Sequence, residues 1–147
     1  MPRVTLTEQQ SYEYCHSLMV RATDINYAGH LGNEALLGLV HEARAHFMKA
    51  LNFNTLVGNG QRTGLIIADL AVNFKSEAFA HATLTVDCQI DELGQRSFRL
   101  FHRIRCGEQL IALVETGIVV FDYQLGQVVP LPADFLSALK VFRRDRS

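Results

Sequence analysis

Val20 to Leu51 reads V-R-A-T-D-I-N-Y-A-G-H-L-G-N-E-A-L-L-G-L-V-H-E-A-R-A-H-F-M-K-A-L, and this stretch decides the fold. It leaves a strand-like segment, crosses a polar turn containing Gly29 and Gly32, and becomes the one long amphipathic helix of the chain. Leu36, Leu39, Val40, Ala43, Phe47, Ala50 and Leu51 recur at the spacing of a single buried helical stripe. Glu42, Arg44, His46 and Lys49 fall between them as a wetter face. Asn33 is the predicted N-cap, and Glu34 sits in the first turn, where the helix dipole favours negative charge. Asp24, Asn26, Gly29, His30 and Asn33 crowd just ahead of the helix. A polar cluster there lies beside unpaired backbone N–H groups, which can hold an anion or an oxyanion.

Working outward, residues 11–22 read as a first strand, with Tyr12, Tyr14, His16, Leu18 and Val20 on one face and Cys15, Ser17, Met19 and Arg21 on the other. Residues 52–64, rich in Asn and Gly, read as a mobile connection. Strands are expected at about 65–75, 82–91, 96–106 and 109–123, separated by turn chemistry around Gly94 and Gly107, and a further turn falls around Gly126. The last three are closely spaced and predict an antiparallel meander. A short helix over 133–140 follows P-L-P. The expected architecture is α+β, a five-stranded antiparallel sheet with the long helix lying across it, in one domain spanning residues 1–147.

Composition narrows the function. The 147 residues are 48% apolar and carry a net charge of −1, so there is no basic footprint for nucleic acid. Arg143, Arg144 and Arg146 sit in a tail and read as solvated. Apolar runs fall short of the ~20 residues a membrane helix needs, and the N-terminus lacks a signal-peptide core, which makes the expected setting cytoplasmic. Three widely spaced cysteines fit neither a disulfide framework nor a metal site, and Cys15 and Cys88 read as small core residues. His41, His46, His81 and His102 show no metal-ligand spacing, so no metal is expected.

D-I-N-Y-A-G-H-L-G-N followed by H-E-A-R resembles the hotdog-fold thioesterases of the 4-hydroxybenzoyl-CoA thioesterase type. Their pattern, D-x-D-x-x-G-H-V-N-N and then E-x-A-R, is matched at Asp24, Gly29, His30, Leu31, Asn33, Glu42, Ala43 and Arg44, and the likeness runs over about residues 12–140. The resemblance implies a sheet wrapped around a central helix, a homodimer or homotetramer with sites between subunits, and hydrolysis of acyl-CoA or acyl-carrier-protein thioesters. Coenzyme A then enters as part of the substrate, with no other cofactor. It also implies a thioester carbonyl polarised by a backbone N–H at about Gly32 to Asn33, with Gly29 in the same substrate-binding turn.

One position departs from the family. The second Asp of its motif, the catalytic carboxylate, is Asn26 here, and a neutral amide cannot accept a proton at neutral pH. Asn26 can still hydrogen-bond a thioester carbonyl or hold a water. Asp24, Glu42 and His30 are the candidates to take over the proton, Glu42 having as its other reading an ion pair with Arg44 or a partner's Arg. The alternative to hydrolysis is an acyl-thioester-binding protein with little or no activity. Scattered cations such as Arg62 or Lys75 are the candidates for contacting coenzyme A.

Overall fold

The computed structural model describes residues 3–53 and 62–146. Strand β1 (Tyr14–Met19) leads through a 3-10 turn (Ala22–Asp24) to helix α1 (Asn33–Ala50). Strands β2 (Thr63–Phe74), β3 (Thr83–Asp91), β4 (Ser97–Cys106), β5 (Gln109–Asp122) and the short β6 (Gln127–Val128) follow, and helix α2 (Ala133–Arg146) closes the chain. Every pairing is antiparallel, and the sheet order is β1-β3-β4-β5-β2, with β6 added to β5. The expected β3-β4-β5 meander is present. The sheet has six strands rather than five, because the turn at Gly126 (φ 69°) folds Gln127 and Val128 back onto Phe121 and Asp122. Most of the 52–64 connection lies outside the described residues.

Alternation along the strands builds the core. Leu84, Val86, Cys88 and Ile90 of β3 and Phe98, Leu100, His102 and Ile104 of β4 all face inward, as a period of two demands. They meet Leu36, Leu39, Val40, Ala43, Phe47 and Met48 of α1. Phe47 is fully buried and stacks on Tyr14 of β1 at 4.7 Å between ring centroids. Burying a side chain of that size contributes about 3 kcal/mol by area. Of the expected stripe Ala50 alone is exposed, while Met48, outside that stripe, is buried with Phe47 and Leu51 in the last turn.

Arg44, expected on the wet face, is only 7% exposed. It sits one turn from both Val40 and Met48, on the edge of the buried stripe. Its guanidinium lies 2.6 Å from His41 Nδ1 rather than against Glu42, which pairs with His46 at 3.1 Å, one turn along the helix. Cys88 is buried as expected, and its thiol is pushed up by burial. Cys15 is exposed, because its face of β1 points away from α1.

Two features lie beyond the sequence reading. An N-terminal segment ahead of β1 is held to the sheet where Asn73 accepts from the Leu6 N–H (2.6 Å) and donates to the Val4 carbonyl (2.9 Å). Glu8 and Tyr12 then engage Arg103, by an ion pair at 3.2 Å and a cation–π contact at 4.5 Å. The second feature is the length of α2, which runs to Arg146 because Phe135 and Leu139 bury under the sheet end and Phe142 packs against the core. Arg143 is therefore docked rather than simply solvated: it pairs with Glu13 at 2.7 Å and donates to the Ile90 carbonyl at 2.7 Å.

Candidate functional site

The turn between β1 and α1 is built by its own polar groups. Asp24 is buried, and its carboxylate accepts the backbone N–H of Arg21 (2.8 Å) and the Arg21 guanidinium (3.0 Å). That bond to Arg21 holds the Asp24 carboxyl below the usual carboxylate range, against the opposing effect of burial. The Asp24 carbonyl accepts the Gly32 N–H at 3.0 Å, so the two ends of the turn are clamped by one residue.

Inside that clamp, Asn26 organises residues 26–30. Its N–H donates to the His30 carbonyl (2.9 Å), and its own carbonyl accepts the Gly29 N–H (3.0 Å). The side-chain Oδ1 accepts the N–H of Ala28 (3.0 Å) and approaches that of His30 (3.4 Å). An amide oxygen accepting from residues two and four ahead is the ordinary way Asn stabilises a turn. Gly29 takes φ 88°, a left-handed conformation that glycine adopts without steric cost. Asn26 is thus left with its amide NH2 as the group able to serve a ligand, a donor where a carboxylate would have been an acceptor.

Helix α1 begins at Asn33, one residue earlier than an Asn33 cap would give, with Gly32 as N-cap. The Asn33 Oδ1 accepts the Glu34 N–H at 3.0 Å. The Gly32 N–H is committed to Asp24, so of the two expected oxyanion donors the Asn33 N–H is the one without an acceptor among the described residues. The positive end of the helix dipole lies at this terminus, and Asn33 lines the same cleft as Asn26.

A cleft of about 570 Å³ opens here, lined by Asn26, Tyr27, His30, Leu31, Asn33, Phe74, Lys75, Ser76 and Glu77. The structure therefore brings Asn26, His30 and Asn33 together, with Gly29 and Gly32 shaping the turn behind them. Asp24 and Glu42 do not line the cleft: Asp24 is bound to Arg21, and Glu42 lies on the exposed face of α1 with His46. Of the two candidate cations, Lys75 is at the cleft, whereas Arg62 is bound to Asp122 at 2.6 Å.

Glu77 was not foreseen. It arrives from beyond the end of β2, about fifty residues from the motif, and its Oε1 lies 3.6 Å from His30 Nε2. Tandem polar residues after a strand, as in K-S-E, are a common surface pattern, so the sequence carried no signal for it.

Deeper in the core, away from the cleft, His102 lies under α1 with its Nδ1 3.3 Å from the Cys88 sulfur. Its Nε2 has no partner among the described residues, and burial drives its pKa down to about 3, with Arg44 adding to the effect. It is a neutral core histidine. Among the described residues no three His, Cys, Asp or Glu side chains gather as metal ligands do, and no helix is long and apolar enough to cross a membrane.

An antiparallel sheet wrapped around one long helix, with a polar turn opening at that helix's N-terminus, defines a hotdog-type domain. Residues 20–139 match the model of the thioesterase-like superfamily, and the chain belongs to that family of thioester hydrolases. Solved structures agree at the level of fold. The 1,4-dihydroxy-2-naphthoyl-CoA thioesterase of Synechocystis superposes with a TM-score of 0.78 at 21% identity, over 86% of this chain and 95% of that one. A gentisyl-coenzyme A thioesterase gives 0.77 at 23% identity, over 85% and 98%. A probable thioesterase of Bartonella henselae gives 0.74 at 20% identity, over 81% and 98%. No curated protein matches the sequence.

Proposed function

We propose that the protein hydrolyses acyl-CoA or acyl-carrier-protein thioesters in the cleft at the start of α1. The observation that carries this reading is the convergence of two donors, the Asn26 amide NH2 and the Asn33 N–H, with the His30 imidazole in one cleft at a helix N-terminus. Donors so placed stabilise the oxyanion that forms when water attacks a thioester carbonyl. His30 has the chemistry to take the water proton, since a neutral imidazole carries a nitrogen lone pair that accepts one. Lys75 stands at the mouth of the cleft to meet the phosphates of coenzyme A, and no further cofactor is needed.

The acting unit is a homodimer, or a tetramer of two such dimers, in the cytoplasm. Strand β2 ends the sheet with one edge unpaired among the described residues, and it exposes Ile67, Leu70 and Phe74. An unpaired apolar edge is the natural place for a second copy to add. Phe74 also lines the cleft, so that copy would cover one wall of the site.

Short, long and aromatic acyl-CoAs, with free thiol detected, test the activity. Release of thiol with any of them supports hydrolysis. Saturable binding of acyl-CoA with no release would instead support an acyl-thioester-binding protein.

A further inference from the structure

Replacing the family's catalytic Asp by Asn26 leaves the site without its usual base, yet a carboxylate is present in the same cleft. We infer that Glu77 supplies it from a new position, acting through His30 as a carboxylate–imidazole pair. This rests on the thioesterase reading and extends it by one residue.

Geometry carries the inference. His30 Nε2 and Glu77 Oε1 are 3.6 Å apart, and both side chains line the cleft with Asn26 and Asn33. Their backbones are registered, which makes the approach more than a chance meeting of long side chains. The Leu31 N–H, next to His30, donates to the carbonyl of Ala78, next to Glu77, at 2.8 Å. The segment bearing Glu77 is fastened to β5 in turn: the Lys75 and Ser76 N–H groups donate to the Ile111 carbonyl (2.8 and 3.2 Å), and the Ser76 hydroxyl donates to the Leu110 carbonyl. On the other side, His30 is fixed by Asn26, whose N–H donates to the His30 carbonyl at 2.9 Å. Two anchored backbone segments thus bring an imidazole and a carboxylate within 3.6 Å of each other in the cleft that Asn26 lines. Glu77 makes no other ion pair among the described residues.

The chemistry follows from which nitrogen faces Glu77. With Nε2–H directed at the carboxylate, Nδ1 carries the free lone pair. Nδ1 takes a proton from water as the water oxygen bonds to the thioester carbon. The carbonyl pair moves onto oxygen, where the Asn26 NH2 and the Asn33 N–H receive it. The pair returns, the C–S bond breaks, and the imidazolium proton passes to the departing sulfur, leaving a carboxylic acid and a free thiol. Glu77 fixes the tautomer and balances the imidazolium charge while it exists. It is a positioning residue, and His30 is the catalytic one.

The test compares wild type, Glu77→Gln, His30→Gln and the double variant on one acyl-CoA substrate, with kcat, KM and melting temperature read on each. Glu77→Gln is expected to lower kcat about tenfold or more with KM and melting temperature little changed, since this carboxylate is exposed and pairs with no other group among the described residues. Groups that act as a unit are not additive, so the double variant is expected to fall no further than His30→Gln alone. Glu77→Asp, which keeps the charge but shortens the reach, should recover part of the loss and stands in if the Gln variant folds poorly. Unchanged kcat in Glu77→Gln, or losses that multiply in the double variant, overturns the pair while leaving the thioesterase reading intact. A wild type that releases thiol from no substrate overturns both.

Discussion

Asn26→Asp separates two accounts of the site. The carboxylate is nearly isosteric with the amide, and its retained oxygen still accepts the Ala28 and His30 N–H groups at 3.0 and 3.4 Å. The turn should therefore keep its shape and the melting temperature should hold. What changes is the other arm, where an NH2 donor becomes an oxygen with negative charge. If that donor receives the oxyanion, its loss costs about 10²–10³ in kcat, the usual effect of deleting one such donor. Thiol release measured over the full acyl-CoA panel reads this directly. A rise in kcat/KM on any substrate would refute the reasoning, because it would show that position 26 works best as a base and that His30 and Glu77 do not fill that role.

Other perturbations probe the frame around the site. Asp24→Asn removes a charged acceptor bound to Arg21, and it should cost about 1–3 kcal/mol in urea unfolding at pH 7. The folded pKa of Asp24 is depressed, so its contribution is present above the unfolded value and fades as pH falls through the folded one. The stability gap between wild type and Asp24→Asn should accordingly shrink on acidification below about pH 4, and a gap that grows would contradict the assignment. Phe47→Ala should cost about 3–5 kcal/mol by the same denaturation, given a fully buried ring stacked on Tyr14. Leu70→Lys on the exposed edge of β2 should leave the 16.5 kDa chain folded but reduce its particle mass in light scattering toward that of one copy; unchanged mass would move the interface elsewhere.

Much of this was legible in the chain because it depends on local periodicity. The stripe from Leu36 to Phe47 fixed the helix, and the alternation in β3 and β4 fixed which residues meet it. The turn from Asp24 to Asn33 was legible as a turn ahead of a helix because Gly and Asn are the residues that turns favour. What the sequence hid depends on distant partners. Arg143 reads as tail charge until Glu13 and the Ile90 carbonyl are placed beside it, 130 and 53 residues away. Arg44 looks wet by composition, and only the packing of Val40 and Met48 draws it inward. Cys15 and Cys88 sit in similar apolar runs, and the face each takes separates them, since Cys15 lies on the outer face of β1 and Cys88 on the inner face of β3. Glu77 is the same kind of case, a polar residue brought within 3.6 Å of His30 by a segment that the β5 backbone anchors.

The proposed hydrolysis requires that water attack a bound thioester in the cleft at the start of α1. Incubating the wild-type protein with acyl-CoA in oxygen-18 water, and weighing the acid product by mass spectrometry, tests it most directly. The account predicts free thiol together with one labelled oxygen in each carboxylate released. Acyl-CoA that binds and is recovered intact, with no labelled acid above the uncatalysed background, would contradict it.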